Sequence, residues 1–538
     1  MNASQKHAVG DVAAFLWGLV WPLLLGAVLG VGVCWLLQRR RLAWTWTLLG
    51  YPATYCLWFL ERRIGVIVLA ATITATYLGL TIHGELTQAG GEEARAARQR
   101  RGPLTFVRTA IRRRRARSAR RLTTEGLAIG PSRGGRVCRI PFGLGDGVHG
   151  LIAGATGSGK TVTQAAIAEA YVDAGLSAIV IDPKGDEDLR TTLEAAARRR
   201  GVNFRIWTPT GPSVYNPLGR GGPTEIVDKA LSAHRWSEPH YELATQRLLG
   251  HVLATMQAIG EWPPTLSGVV ANMDPEALDA KADKAGGALA ERVSAYVDSR
   301  TSKSSADLGG GRDRLAVLAE SELGPWLDPS LGDGPLLDLH QSVLTGEVLY
   351  FHLDADRYPA ASKLLAAALM IDLVGLTSEA RHSKLGALLV VDEFAALAAE
   401  QVSRLFARAR SAGLSLLLGT QSLADLRGAR PDDPSDTLTE QVLSNVEFTL
   451  AHRIGDPDSA ERLARLAGTA PSWTTTHRTS GRLFPMQTGE GTRTREREFL
   501  IGPDEFKRLR TGEAVAIQPR TAHPAEIVSV WPPRRGEG

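Results

Sequence analysis

The chain has 538 residues, enough for a membrane anchor plus two or more folded units. Its three cysteines form no readable disulfide framework, which suits a reducing cytoplasm for the part outside a membrane. Residues 1–121 carry 18 Lys and Arg against 5 Asp and Glu, whereas the net charge of the whole chain is only +5. The remaining residues are therefore net acidic, which excludes a global positive field for gripping nucleic acid and leaves only local basic loops.

Three uncharged runs occupy most of the first 84 residues, at 13–37, 42–60 and 64–84. A bilayer core needs about 20 helical residues, and the first run is too long for a signal peptide, so we expect a membrane anchor. The middle run is aromatic and is interrupted by Pro52, so it is either a third span or an interfacial segment between two spans. The arginines at 39–41 prefer the cytoplasmic side, which favours three spans with the N-terminus outside.

Twelve arginines follow between residues 95 and 121. Directly after a span, such a cluster is first a positive-inside signal with anionic-lipid contacts, and only second a DNA contact. We therefore assign residues 1–90 to a membrane anchor with two or three spans and residues 91–121 to an Arg-rich juxtamembrane linker. These features predict a multi-pass protein of the inner or plasma membrane.

From residue 122 onward, short apolar runs alternate with helical patterns, as in α/β proteins. Strands are predicted at 136–142, 177–181 and 203–207, and a helix is predicted at 186–200. Residues 221–330 break this alternation and are predicted to form an all-α insertion. Its predicted elements are helices at 225–231, 241–259 and 276–297 and a glycine-rich loop at 302–314.

The α/β pattern resumes after the insertion. The predicted elements are strands at 346–353, 384–391 and 414–418 and helices at 359–376 and 400–412. Residues 473–495 are rich in Thr, Gly and Arg and are predicted to form a mobile loop. Residues 531–538 are predicted to be a disordered tail.

A phosphate-binding loop follows one predicted strand and opens a predicted helix. The pattern G-x-x-x-x-G-K-[ST] is matched at every fixed position by Gly154, Ala155, Thr156, Gly157, Ser158, Gly159, Lys160 and Thr161. Glycines let backbone N–H groups surround an anion, and the helix N-terminus adds its positive dipole end. Lys160 can reach the β- and γ-phosphates, and the Thr161 hydroxyl can bind Mg²⁺. The loop predicts binding of ATP with Mg²⁺.

A second apolar strand ends in Asp392 and Glu393, which is a Walker B pattern. In P-loop ATPases we expect the strand next to the phosphate loop to end in an acid of the Mg²⁺ shell, and Asp392 fits that role. Glu393 then orients or deprotonates the attacking water. Gln421 ends the next predicted strand and is assigned as a γ-phosphate sensor, the alternative being an ordinary polar strand end. Together these motifs predict one nucleotide-binding domain, built from residues 122–220 and 331–530.

Arg410 lies in the last turn of the predicted helix between Glu393 and Gln421. Helix ends favour cations for simple electrostatic reasons, and Arg404 and Arg408 lie on the same helix. A ring-forming ATPase also needs a charge supplied by a neighbouring subunit, and this surface is where such a charge could emerge.

Six further short motifs follow one another along the body of the chain. They are Ile-Pro-Phe-Gly-Leu-Gly at 140–145, Asp-Pro-Lys-Gly at 182–185, Tyr-Asn-Pro-Leu at 215–218, Val-Val-Asp-Glu-Phe at 390–394, Arg-Ser-Ala-Gly-Leu at 410–414 and Gly-Thr-Gln-Ser at 419–422. With the phosphate loop, they resemble the HerA/FtsK superfamily of hexameric translocases. Within it, the chain is most similar to the TraD/TraG-type coupling proteins of conjugative type IV secretion.

The resemblance implies an α/β fold: a RecA-like P-loop ATPase domain with an all-α insertion domain and N-terminal transmembrane helices. It implies a homo-hexamer with a cytoplasmic ATPase domain that moves DNA, single-stranded by expectation, with a relaxase or secretion-channel proteins as partners. In these proteins an arginine before the Ala-Gly turn acts as an arginine finger, which maps onto Arg410. The family commonly has two spans with both ends cytoplasmic, which the arginines at 39–41 fit badly.

Three other functions stay open on the sequence alone. An FtsK-like motor on double-stranded DNA is disfavoured by the helical insertion. The single ATPase domain argues against a multi-domain export motor, but it leaves open a protein-export ATPase that moves polypeptide. A nucleotide-gated membrane receptor without translocation would not need Glu393 to activate water.

Overall fold

The computed structural model describes residues 3–40, 42–88, 122–232, 236, 239–301, 306–380, 384–397, 399–428, 437–480 and 486–534. The chain divides into two compact units. One contains the N-terminal helices and the segment Thr469–Leu500, and the other contains the nucleotide-binding motifs. The predicted Arg-rich linker lies outside the described residues.

The N-terminal segment forms helices α1 (Ala3–Arg39), α2 (Gly50–Leu60) and α3 (Arg62–Gln88), with a 3₁₀ turn at Trp44–Leu49. α1 and α3 approach each other closely at small residues. A Cβ atom on Gly26 would lie 2.6 Å from the Cβ of Ala70, and one on Gly30 would lie 2.8 Å from the Cβ of Thr74. Small residues at helix contacts are typical of membrane helix pairs.

Two of these helices have the length and composition of membrane spans, at Val20–Arg39 and Arg62–His83. α2 has 11 residues. At about 1.5 Å per residue it extends about 16 Å, roughly half of a 30 Å hydrocarbon core. Pro359–Glu379 also has the length and composition of a span, but 72% of its most apolar window is buried within the fold. It is therefore a core helix of the nucleotide-binding unit.

The strands of the described residues are β1 (Leu122–Thr123), β2 (Gly126–Pro131), β3 (Val137–Ile140), β4 (His149–Ala153), β5 (Ser177–Asp182), β6 (Phe204–Trp207), β7 (Val348–His352), β8 (Ala387–Val391), β9 (Leu414–Thr420), β10 (Phe448–Ala451), β11 (Thr469–Ser480), β12 (Met486–Phe499), β13 (Glu513–Ile517) and β14 (Ala525–Ser529). Nine of them form one sheet in the order β14-β13-β10-β4-β9-β8-β5-β7-β6. The strands from β10 to β6 are parallel, and β13 and β14 are antiparallel at one edge.

The remaining helices are α4 (Lys160–Asp173), α5 (Glu187–Arg200), α6 (Pro223–Ser232), α7 (Pro239–Ala258), α8 (Leu266–Asn272), α9 (Pro275–Ala285), α10 (Gly287–Thr301), α11 (Ala306–Ala319), α12 (Gly324–Leu327), α13 (Leu339–Leu344), α14 (Pro359–Glu379), α15 (Phe394–Leu397), α16 (Ala399–Ala412), α17 (Ala424–Gly428), α18 (Thr437–Asn445), α19 (Pro457–Ala467) and α20 (Pro503–Lys507). In the described part of the chain between β6 and β7, α6 to α13 occur and no further strand does. This architecture confirms the predicted α/β fold with an all-α insertion.

The four central strands β4, β9, β8 and β5 place the nucleotide motifs. Every residue of these strands is buried, which is the pattern of a parallel sheet covered by helices on both faces. Parallel strands present their carboxyl ends at the same edge of a sheet. The phosphate loop, the Asp-Pro-Lys-Gly turn, the Walker B acids and Gln421 each follow one of these strands, so they share that edge.

Two predictions inside the insertion are wrong, and glycines explain both. The helix predicted at 276–297 is two helices, because Gly286 and Gly287 have φ of +67° and +64° and end the helical conformation between α9 and α10. In the loop predicted at 302–314, residues 306–314 are helical and belong to α11, and residues 302–305 lie outside the described part of the chain. Gly311 lets α11 pack on α7, since a Cβ there would lie 2.5 Å from the Thr245 hydroxyl oxygen.

The mobile loop predicted at 473–495 is wrong for residues 473–480 and 486–495, whereas residues 481–485 lie outside the described part of the chain. β11 and β12 pair antiparallel there from Thr469 opposite Phe499 to Ser480 opposite Met486, with an irregularity between His477 and Thr479. Threonine is β-branched and favours extended backbone, so its abundance indicated strand rather than loop.

The prediction of a disordered tail at 531–538 is wrong for residues 531–534. Trp531 donates its backbone N–H to the Ile129 carbonyl oxygen at 2.8 Å. Arg534 donates its backbone N–H to the buried Glu169 carboxylate at 2.9 Å. These hydrogen bonds fix residues 531–534 against the fold, and residues 535–538 lie outside the described part of the chain.

A buried ion pair joins helix α6 of the insertion to the core helix α14. Lys229 of α6 is fully buried, and its ammonium group pairs with Asp372 of α14. The Tyr215 hydroxyl donates a hydrogen bond to the same carboxylate at 2.7 Å, and Lys229 also donates to the Arg220 carbonyl oxygen at 2.7 Å. Buried charges are tolerated when paired and hydrogen-bonded, and this cluster satisfies both conditions.

We expect Lys229→Met to lower the free energy of unfolding by about 3–5 kcal/mol, because Asp372 would keep a buried charge without its cation. Thermal unfolding of the full chain in detergent, followed by tryptophan fluorescence, measures the loss. Lys281→Met is the matched control, since Lys281 makes a partly exposed ion pair with Glu261 at 2.6 Å in the same insertion. Such a pair contributes about 0–1 kcal/mol. Equal stability of the two variants would contradict a structural role of the buried pair.

Candidate active site

The phosphate loop connects β4 to the first turn of α4, as the sequence predicts. Gly157 and Gly159 have φ of +72° and +108°, which L side chains rarely adopt. A Cβ atom on Gly154 would lie 2.7 Å from both the His452 Cβ and the Ser158 hydroxyl oxygen, so only glycine fits there. Glycine at these positions allows the tight loop that a phosphate-binding nest requires.

Three neighbouring segments hold the loop in place. The Gly154 N–H donates to the Thr420 carbonyl oxygen at 3.1 Å, and the Ala155 N–H donates to the Arg453 carbonyl oxygen at 2.9 Å. Gly512, in the turn before β13, donates its N–H to a carbonyl oxygen of the loop at 3.0 Å. The loop is therefore fixed by the ends of β9 and β10 and by a C-terminal turn.

Lys160 reaches from the loop to the Walker B acids. Its ammonium nitrogen lies 3.0 Å from Asp392 Oδ1 and 2.9 Å from Glu393 Oε1. The Gln164 side-chain amide donates to the same Asp392 oxygen at 3.1 Å. A Cβ on Gly419 would lie 2.3 Å from both Asp392 Oδ1 and Gln164 Nε2, so β9 passes this cluster only because it has glycine there. Gln164 lies one helical turn after Lys160, and that spacing is the only sequence signal for it.

Two further donors, in addition to Lys160, contact the Glu393 carboxylate. The Gln421 amide donates to Glu393 Oε1 at 2.8 Å, and the Lys184 ammonium lies 3.3 Å from the same oxygen. Glu393 has φ of +49°, a left-handed backbone conformation that is uncommon for a residue with a side chain. The structure thus brings Lys160, Asp392, Glu393 and Gln421 together, and it adds Lys184, for which the sequence predicts no role at the site.

The pKa of Glu393 is lowered from its usual value. Burial alone would raise the pKa, but the hydrogen bond and charge of Lys160, the Gln421 amide and the charge of Lys184 outweigh burial. Glu393 is therefore ionised near neutral pH and can accept a proton.

The strand order corrects one sequence expectation. β8, which carries Asp392 and Glu393, is not next to β4, because β9 lies between them. The strand ending before Gln421 is therefore the direct neighbour of the phosphate loop strand. Lys160 crosses the end of β9 to reach the acids, which explains why glycine is required at position 419.

The described residues fit a nucleoside triphosphate with Mg²⁺. The Ser158 hydroxyl oxygen is buried and has no hydrogen-bond partner among the described residues, so it can face a phosphate. Thr161 is the second residue of α4, directly after Lys160. No three His, Cys, Asp or Glu side chains cluster as a metal site in the described ranges. Mg²⁺ needs no such cluster when a hydroxyl, a carboxylate such as Asp392 and nucleotide phosphates supply its ligands.

His452 supports the loop from the end of β10 and was not found from the sequence. Its Nε2 lies 2.9 Å from the Thr163 hydroxyl, and its Nδ1 lies 3.0 Å from the Glu513 carbonyl oxygen. Burial lowers the pKa of His452 to about 4, so the imidazole is neutral. Since a carbonyl only accepts, Nδ1 carries the proton. No local motif marks His452, because its role depends on β10 lying next to β4.

The structure does not bring Arg410 to the phosphate loop of its own chain. Arg410 pairs with Glu447, whose other carboxylate oxygen accepts the His149 N–H at 2.6 Å. His149 begins β4 and Lys160 follows its end, so Arg410 lies at the opposite edge of the sheet. Its side chain is 47% exposed. A role in a neighbouring subunit stays a prediction.

Two family models match separate segments of the chain. Residues 138–202 match the helicase HerA-like C-terminal family, and residues 387–511 match the family described as the TraM recognition site of TraD and TraG. The first segment contains the phosphate loop, and the second contains the Walker B acids and Gln421. A search of curated protein sequences gives no significant match.

Solved structures of the conjugative coupling protein TrwB share the fold. The unbound monoclinic form of TrwBdeltaN70 aligns over 72% of this chain and 86% of its own chain, with a TM-score of 0.51 and 16% identity. TrwB with a non-hydrolysable ATP analogue and TrwB with ADP and Mg²⁺ each align over 72% of this chain and 87% of theirs, with a TM-score of 0.50 and 16% identity. At this identity the likeness concerns the fold, and it confirms the predicted RecA-like class.

The sequence segments and the fold agree with each other. The HerA-like match covers the loop that carries Lys160, and the TraD/TraG match covers Glu393, which Lys160 contacts. The two family matches and the shared fold together confirm that this chain resembles the TraD/TraG-type coupling ATPases of conjugation.

Proposed function

We propose that this protein is a membrane-anchored, ATP-driven DNA translocase. In this role it is the coupling protein that delivers DNA or nucleoprotein to a conjugative secretion channel. The contact between Lys160 and Glu393 supports this function most directly, because it joins the HerA-like segment to the TraD/TraG segment in one site.

The arrangement suits hydrolysis of a phosphoanhydride by water. Lys160 would neutralise the β- and γ-phosphates, while Thr161 and Asp392 would hold Mg²⁺. Bound Mg²⁺ would withdraw charge from the phosphate oxygens. Glu393, ionised and fixed by Gln421, would accept a proton from the attacking water. Gln421 would link the state of the γ-phosphate to Glu393, since it already contacts that carboxylate.

We propose that α1 and α3 are the two membrane spans and that α2 lies at the interface, because α2 is too short to cross. Five arginines, at 39–41, 62 and 63, lie in or next to the end of α1 and the start of α3, whereas twelve follow α3 between residues 95 and 121. The larger positive charge favours the cytoplasmic side of an inner or plasma membrane for the end of α3. The ATPase domain follows that end and would also be cytoplasmic.

DNA, taken as single-stranded, is the proposed substrate, and a relaxase or channel proteins are the proposed partners. The active unit would be a homo-hexamer. Among the described residues, the ion pairs of Asp392 and Glu393 are made by lysines and not by an arginine, which accords with a site completed by a neighbour. The insertion between β6 and β7 disfavours an FtsK-like motor on double-stranded DNA.

ATP hydrolysis by the full chain in detergent is expected to rise with single-stranded DNA and less with double-stranded DNA. Phosphate release measured with each DNA and without DNA tests this. Lys160→Ala is the negative control, because the phosphates would lose the loop cation. Stimulation by double-stranded DNA alone would favour an FtsK-like motor, and no effect of either DNA would favour protein export.

Glu393→Gln is expected to bind ATP with Mg²⁺ but to hydrolyse it about 10²–10⁴-fold more slowly, because glutamine keeps the shape and lacks the base. Binding of a fluorescent ATP analogue and steady-state hydrolysis measure the two effects separately. Glu187→Gln is a control at an exposed carboxylate that pairs with Arg190 on α5. Loss of nucleotide binding by Glu393→Gln would instead make Glu393 a metal ligand or a structural residue.

Arg410→Ala is expected to bind ATP normally and to lose DNA-stimulated hydrolysis by about 10³–10⁵-fold, as for arginines supplied in trans. Mixing it with Lys160→Ala subunits should restore part of the activity, because those subunits keep Arg410. Arg408→Ala is the control on the same helix, where Arg408 contacts the Ser378 hydroxyl at 3.0 Å. If mixed rings form by cross-linking yet stay inactive, Arg410 serves only as the partner of Glu447.

A further inference from the structure

The Asp-Pro-Lys-Gly turn after β5 is held rigidly by its first residue. The Asp182 carboxylate accepts the backbone N–H groups of Lys184, Gly185 and Asp186 at 2.8, 2.9 and 2.7 Å. It also accepts the Tyr350 hydroxyl at 2.5 Å. The conformation of the turn therefore depends on backbone donors and on Tyr350, and it does not need the side chain of Lys184.

The turn is also tied to the segment after β7. The Leu353 N–H donates to the Asp182 carbonyl oxygen at 2.9 Å, and the Ala355 N–H donates to the Pro183 carbonyl oxygen at 2.8 Å. Gly185 has φ of +75°, and a Cβ there would lie 2.3 Å from a ring nitrogen of His352. Hydrogen bonds of the residues before and after position 184 therefore fix the position of the Lys184 Cα atom.

From this fixed position, the Lys184 side chain extends to the Walker B glutamate. Its Nζ lies 3.3 Å from Glu393 Oε1. β5 pairs directly with β8, with Ile181 opposite Val391, so the turn after β5 lies next to the residues after β8. Gln421 approaches the same Glu393 oxygen from β9, on the other side of β8. Glu393 thus has one donor from each neighbouring strand.

Lys160 contacts the same oxygen, but it has a second task. A phosphate-loop lysine serves the β- and γ-phosphates, so part of the hydrogen-bonding capacity of Lys160 is taken up when a nucleotide is bound. We propose that Lys184 is a positioning residue for hydrolysis, which holds the Glu393 carboxylate toward the attacking water while Lys160 engages the nucleotide. This inference rests on the proposed ATP hydrolysis.

The exposure of Lys184 argues against a purely structural task. Its side chain is 51% exposed, and an ion pair with one half-exposed partner contributes little to stability. Since Asp182 holds the turn through backbone groups, variants at position 184 should fold as the natural chain does. An effect on hydrolysis would therefore report on Glu393 and not on folding.

Lys184→Met in the full chain in detergent is expected to lower kcat for ATP by about 10–10²-fold, because misplacing a reacting group by about 1 Å costs about that much. KM, ATP affinity and the unfolding temperature should stay unchanged. Lys184→Arg keeps the cation and should restore most of the rate. Lys281→Met is the matched control, since its pair with Glu261 lies in the insertion.

A double variant decides whether Lys184 acts through Glu393. With Glu393→Gln in place, adding Lys184→Met should change kcat by less than about twofold, because the carboxylate that Lys184 holds is gone. A further tenfold fall in that background would overturn the inference, and so would a selective loss of affinity for ATP over ADP, which would indicate a direct γ-phosphate contact. Normal hydrolysis by Lys184→Met would overturn this inference alone, whereas no hydrolysis by the unsubstituted chain would overturn the proposed function with it.

Discussion

The Lys160 ammonium group lies in a largely buried position between Asp392 and Glu393, at 3.0 and 2.9 Å, and it links residues 233 positions apart in the chain. A buried cation needs paired anions, so β4 and β8 must present their ends at the same edge of the sheet. β9 runs between them and must leave room for this contact, which is why glycine stands at position 419. The central strands run parallel, and this direction brings the ends of β4 and β8 to the same edge of the sheet.

This geometry separates two tasks at the edge of the sheet where the carboxyl ends of the parallel strands meet. In the proposed mechanism, the loop after β4 supplies the cation and the backbone N–H groups for phosphates, and the end of β8 supplies the acid and the base. The strands on either side of β8 each bring one donor to Glu393, Lys184 after β5 and Gln421 after β9. Each group comes from a different strand, so the precision of the site depends on the register of the whole sheet.

Support for the phosphate-loop helix comes from segments far along the chain. His452 at the end of β10 contacts Thr163, and Gly512 contacts the loop itself. Glu169 of α4 is fully buried and binds both Arg199 and the backbone N–H of Arg534. The position of α4 is therefore determined by the completed fold, and the residues near the C-terminus contribute to it directly.

The sequence by itself determined the phosphate loop, the Walker B acids, Gln421 and the all-α insertion, because each is a local pattern of glycine, charge or hydrophobic period. It misjudged the hairpin of β11 and β12, helix α11 and the docked residues 531–534, where pairing and packing with distant segments override local composition. Only the tertiary structure placed β9 between β4 and β8 and brought Gln164, Lys184 and His452 to the site. These contacts join strands that are distant in sequence, and strand order is set by the energy of the whole sheet, which no local pattern encodes.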